Sequence, residues 1–143
     1  MHNNHIRVSA RGLVWRDDEL LVAQDTKPTE EEPFYYPLGG GVEFGEHSEN
    51  ALRREFGEEL GVTLKNVTYR ETYEGLFTFD GNPAHELWRV YEAEIVESWP
   101  YERDEFSGYE AEFNEEIECF WKRPAEFSEE KVTFYPEQLV SDL

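Results

Sequence analysis

The chain has 143 residues, with 33 Asp or Glu against 13 Lys or Arg, for a formal net charge of −20. That charge disfavours passive binding to nucleic-acid backbones or anionic membranes, while 10 Phe, 8 Tyr and 4 Trp supply too much apolar bulk for a disordered acidic tail. The length predicts one domain over residues 1–143, the single Cys119 permits no internal disulfide and fits a reducing cytoplasm, and neither a membrane-length apolar run nor a signal peptide is expected.

In chain order, Ile6 to Trp15 and Leu20 to Gln24 are apolar-rich runs joined by Arg16-Asp17-Asp18-Glu19, which reads as a hairpin. Residues 27–33 read as a polar loop, and Phe34 to Leu38 as a short strand delivering a turn at Gly39-Gly40-Gly41. A helix is predicted from Ser48, a suitable N-cap, to Gly61, where a left-handed C-cap would end it. Val67 to Phe79 and Glu86 to Val96 read as paired strands around the turn Asp80-Gly81-Asn82-Pro83. An acidic loop follows from Glu97 to Asn114, then a strand over Ile117 to Trp121 and a terminal helix over Pro136 to Leu143. The fold class is α/β, a mixed β-sheet with helices on its faces.

The helix is chemically odd. Glu55 lies one turn from Glu59 and three residues from Glu58, so the three carboxylates share a face, where like charges cost roughly 0.2–0.5 kcal/mol per pair. A cation over that face would remove the cost, and the oxygen-only donor set suits a hard ion such as Mg²⁺. The glycines just before the helix let the backbone approach the same ion. A solvated acidic face is the plainer alternative for isolated glutamates.

The whole segment, Gly40 to Val62, resembles the signature of the Nudix hydrolases, G-x5-E-x7-R-E-U-x-E-E-x-G-U, with U a bulky apolar residue. Gly40, Glu46, Arg54, Glu55, Phe56, Glu58, Glu59, Gly61 and Val62 fill every defined position, Phe56 being aromatic where an aliphatic residue is commoner. The resemblance implies a Nudix-type α/β/α sandwich and Mg²⁺, with Mn²⁺ as a substitute. It implies Glu55, Glu58 and Glu59 as metal carboxylates, the Gly40 carbonyl as a further ligand, and Arg54 as the residue that orients a carboxylate. Glu55 is also the first candidate for general base, and Glu46 for an outer carboxylate.

A further catalytic acid is expected late in the chain. Glu115 is the first choice, with Glu112 and Glu116 as rivals. Arg11 is a candidate phosphate contact. Tyr36, with Phe34, Tyr35, Phe77 and Trp88, could stack on a base, although such aromatics are as readily core. His2, His5 and His47 lack metal-ligand spacing, and His85 could be structural or substrate-facing. The expected activity is hydrolysis of the pyrophosphate bond in small nucleoside diphosphate derivatives: triphosphates, ADP-ribose, other sugar nucleotides or dinucleoside polyphosphates. A nucleotide is the expected partner, not a nucleic acid or membrane, with a homodimer left open. The alternatives are a catalytically silent nucleotide sensor of the same fold and a simple Ca²⁺-binding acidic protein; the latter lacks the ligand loop it would need.

Overall fold

The computed structural model describes residues 5–24, 34–79, 81–110, 114–129 and 133–143. The predicted polar loop at 27–33 and the rival acid Glu112 lie outside them. Its elements are β1 (Arg7–Leu13), β2 (Trp15–Arg16), β3 (Glu19–Gln24), β4 (Phe34–Tyr36), β5 (Gly39–Gly41), α1 (Ser48–Leu60), β6 (Leu64–Phe79) and β7 (Asn82–Ile95). After a 3₁₀ turn at Trp99–Glu102 come β8 (Glu105–Glu110), β9 (Glu115–Lys122), α2 (Pro124–Glu129), β10 (Thr133–Phe134) and α3 (Glu137–Val140).

Two mixed sheets form. The first runs β5-β1-β7-β6, with β1 parallel to β7; the second runs β10-β4-β3-β9-β8, with β2 paired to β3 and β10 parallel to β4. The predicted first hairpin is present as β2–β3, its turn using Asp17 at φ 54°. Its first run, however, divides at Val14: β1 stays in one sheet and β2 enters the other.

Period-two alternation sorts the apolar residues onto two cores. Leu21 and Ala23 of β3 face the core that contains Leu52 and Phe56 of α1, whereas Leu20 and Val22 face the one containing Phe127 of α2 and Leu139 of α3. Helices therefore cover opposite sides of the sheets, as an α/β sandwich requires.

Three local expectations are corrected. The glycine run is a strand, not a turn. β5 pairs with Ser9–Arg11 of β1, and a Cβ at Gly39 would stand 1.9 Å from the Ala10 carbonyl oxygen, so only glycine permits the pairing. The N-cap of α1 is His47, whose Nδ1 accepts from the Glu49 N–H at 3.3 Å. Ser48 is the first helical residue, and its hydroxyl pairs with that of Tyr91. The acidic stretch before Asn114 is not all loop: β8 lies within it, in register with β9. The predicted C-cap is observed at Gly61, with φ 69° and its N–H donating to the Gly57 carbonyl.

Candidate active site

Arg54 organises the start of α1. Its Nε and Nη2 grip the two Glu46 carboxylate oxygens at 2.8 and 3.0 Å, and Nη1 donates to Glu55 at 2.8 Å and Glu58 at 3.3 Å. Nη2 also donates to the Gly41 carbonyl at 3.0 Å, tying the end of β5 to the helix. The two-pronged bond to Arg54 lowers the pKa of Glu46, and Glu46 together with Glu55 raises that of Arg54. Arg54 is thus a half-buried hub with several partners rather than a lone ion pair, and Glu46 is its counter-ion.

The helix advances about 100° per residue. Glu55 and Glu59 are therefore nearly superposed and both are buried, at 7% and 6% exposure. Glu58 falls about 100° from Glu59, and its side chain is 51% exposed. Glu110 brings the third carboxylate. It ends β8 on the same inward alternation as Phe106 and Gly108, and Gly108 lets β8 close on α1: a Cβ there would meet the Glu59 carbonyl oxygen at 2.9 Å. Glu55, Glu59 and Glu110 each offer an oxygen within 4.8 Å of the others.

Burial, then a hydrogen bond shared with Glu110 and its charge, holds the Glu59 pKa well above the carboxylate range. Burial also raises that of Glu55, against the opposing pull of Arg54. Oε1 of Glu59 is buried without a hydrogen-bond partner among the described residues. A hard cation would supply what this oxygen lacks and relieve the repulsion. Gly40 is pressed against the same group, since a Cβ there would lie 2.4 Å from the Glu55 carboxyl carbon.

The acids open into a cleft of about 390 Å³ between the two sheets. Arg11 lines it from β1 at 8% exposure, with Nε donating to Ser9 Oγ and Nη1 to the Pro37 carbonyl, both at 3.3 Å. Phe34 and Tyr36 of β4 face Phe77 of β6 across the far end, and Tyr135 bridges them, 5.3 Å from the Phe34 ring and 5.7 Å from that of Phe77. Glu115 and Glu116 are exposed at the start of β9 and also line the cleft; Glu115 stands opposite Glu110 in the strand register. Tyr35 turns away into the second core, and His85 pairs with Glu74 at 2.7 Å on the outer hairpin. Glu110 escaped the sequence reading because its stretch reads as a loop. The alternation Phe106, Gly108, Glu110, which places an acid in an inward position, is the signal that would have found it.

No helix among the described residues is long and apolar enough to cross a membrane. The family model for the NUDIX domain matches residues 5–143. Among curated proteins, an NAD-capped RNA hydrolase of Pseudomonas syringae is 43% identical over 58 residues, which is 41% of this chain and 20% of that protein. One from Shigella flexneri is 44% identical over 54 residues, 38% of this chain and 20% of its own length. The matched region thus spans about a fifth of these relatives. Among solved structures, a NUDIX hydrolase from Nitrosomonas europaea superposes with a TM-score of 0.66 at 17% identity, covering 96% of this chain and 85% of that one. A MutT NUDIX hydrolase from Burkholderia pseudomallei gives 0.63 at 20% identity, covering 97% and 98%. These likenesses concern the fold. With the family model spanning the chain and every signature position filled, the protein belongs to the Nudix hydrolase family.

Proposed function

We propose that this protein hydrolyses the pyrophosphate bond of small nucleoside diphosphate derivatives, using a divalent metal held by Glu55, Glu59 and Glu110. The observation that carries the reading is the buried Oε1 of Glu59, without a hydrogen-bond partner among the described residues, beside two further carboxylates at the edge of a cleft that also holds a buried arginine. Mg²⁺, or Mn²⁺ in its place, would neutralise diphosphate charge and lower the pKa of an attacking water. The chain's own residues do the rest. Arg54 holds Glu55 in place through Nη1 while its other nitrogens are locked on Glu46. Gly40 leaves room for that carboxylate, and Glu58, bonded to Arg54, is the candidate for a further ligand. Glu110 takes the role that the sequence assigns to Glu115, which stays at the rim as a weaker candidate. Arg11 contacts phosphate, and Tyr36 with the rings around it receives the base.

Substrates are small nucleotides: nucleoside triphosphates, ADP-ribose or related dinucleotides. The site works in the cytoplasm and without a nucleic-acid partner, since the net charge of −20 repels long polyanions. The test is a screen of deoxynucleoside triphosphates, ADP-ribose, NAD⁺ and diadenosine tetraphosphate with Mg²⁺, Mn²⁺ or EDTA, with chromatographic identification of products. NAD-capped RNA forms a further arm because of the relatives' activity. Metal-dependent turnover of a small nucleotide is expected. Preferred cleavage of the capped RNA over NAD⁺ would overturn the small-substrate reading, and no turnover in any arm would leave the silent sensor.

A further inference from the structure

Trp88 looks in the sequence like a base-stacking ring, but the structure gives its face another occupant. The Arg11 guanidinium carbon lies 4.4 Å from the Trp88 ring centroid. The indole is itself anchored, because its Nε1–H donates to Glu86 Oε1 at 2.6 Å. Glu86 and Trp88 alternate on one face of β7, opposite Arg7 and Ser9 of β1 in register, and Arg11 follows two residues beyond Ser9. The result is a stack across two paired strands: Glu86 fixes the indole, the indole supports the guanidinium, and Ser9 holds its Nε.

Arg11 has more donors than the protein uses. Of its five N–H groups, one on Nε and one on Nη1 are bonded. Nη2 makes no hydrogen bond, and no carboxylate lies within ion-pair distance, among the described residues. A buried guanidinium without an ion pair is costly, and its burial outweighs the favourable charges of Glu59 and Glu86. The cleft that it lines gives an anion access to those donors. Position selects the kind of acceptor. Arg11 stands opposite Gly39 on β5, next to the Gly40 that abuts Glu55; its guanidinium carbon also lies 5.6 Å from the Tyr36 ring centroid, while Phe34 and Phe77 gather around Tyr135.

We propose that Trp88, anchored by Glu86, is a positioning residue that presents the spare donors of Arg11 to a phosphoryl group of the substrate, so that Arg11 and the metal carboxylates grip the diphosphate from opposite sides. This rests on the hydrolase reading and assigns Trp88 to phosphate rather than base recognition. The cation–π contact favours the presented orientation, and the desolvated site raises the worth of each charge-assisted bond.

The experiment measures binding of α,β-methylene-ADP, which cannot be cleaved at its bridge, and of adenosine to the full chain with Mg²⁺ by calorimetry. R11Q and W88L should each weaken the ADP analogue about tenfold and leave adenosine unchanged. The double variant W88L/R11Q should bind no worse than R11Q. W88F, which keeps a ring face, and E86A, at a half-exposed position, guard against loss of folding. W88F should retain most of the affinity, and E86A should lose severalfold for the ADP analogue alone. On the substrate found in the screen, W88L should raise KM more than it lowers kcat, a split that a smaller folded fraction would not produce. Equal weakening of adenosine would return Trp88 to base stacking, and losses that multiply in the double variant would make Trp88 and Arg11 independent; either outcome overturns the proposal. Failure of the hydrolase reading is distinct, appearing as absent turnover with the binding pattern intact.

Discussion

Glu59→Gln should move activity and metal-free stability in opposite directions. Glu59 is 6% exposed, and an oxygen of each of its two acidic neighbours lies within 4.8 Å of one of its own. At an effective dielectric of 20, two unit charges at that separation repel by about 3.5 kcal/mol. Burial and the neighbouring carboxylates already push the Glu59 pKa well up, which removes part of this repulsion, so the uncharged amide should recover about 1–2 kcal/mol. At this chain length that corresponds to a rise in Tm of about 2–8 °C. Turnover should instead fall by at least a hundredfold, about 2.7 kcal/mol of transition-state stabilisation, because an anionic ligand is lost. Thermal unfolding in EDTA and steady-state kinetics in saturating Mg²⁺ measure the two effects. A substitution that merely damaged the fold would lower both. Near-wild-type turnover, or a metal-free Tm below that of the parent, would refute the reasoning.

Glu110→Gln should cut kcat by tens of fold or more while Glu115→Gln stays within about threefold, since of these two Glu110 is the one grouped with the buried pair; the reverse order in steady-state assays would restore Glu115 as the catalytic acid. The raised pKa values of Glu55 and Glu59 mean that the folded, metal-free protein holds more protons than the unfolded chain between the ordinary carboxylate range and the folded values. Over that interval stability should fall as pH rises, so Tm in EDTA should decline above about pH 4.3 and the gain from Mg²⁺ should grow with pH; a flat profile would count against the buried acids. Gly40→Ala should weaken Mg²⁺ binding about tenfold or more in calorimetry, because its Cβ falls 2.4 Å from the Glu55 carboxyl carbon, and unchanged affinity would mean that Glu55 is free to move.

The signature was legible in the sequence because its constraints are local. Helical periodicity alone puts Glu55 over Glu59, a left-handed Gly61 ends the helix, and Arg54 can reach both Glu55 and Glu58 along one segment. The α/β class followed from the same kind of evidence, apolar runs and turn residues read in order. What tertiary structure decided is which carboxylates meet. Glu58 shares the helix but faces outward, while Glu110, 51 positions after Glu59, enters because β8 pairs with β9 and Gly108 admits it against α1. Likewise Gly39–Gly41 became a strand only because β1 was there to pair with it, and Trp88 meets the Arg11 guanidinium because β1 and β7 align in parallel. Contacts between strands depend on register and partner choice, set by the burial of whole sheet faces, and no single window of sequence carries that information.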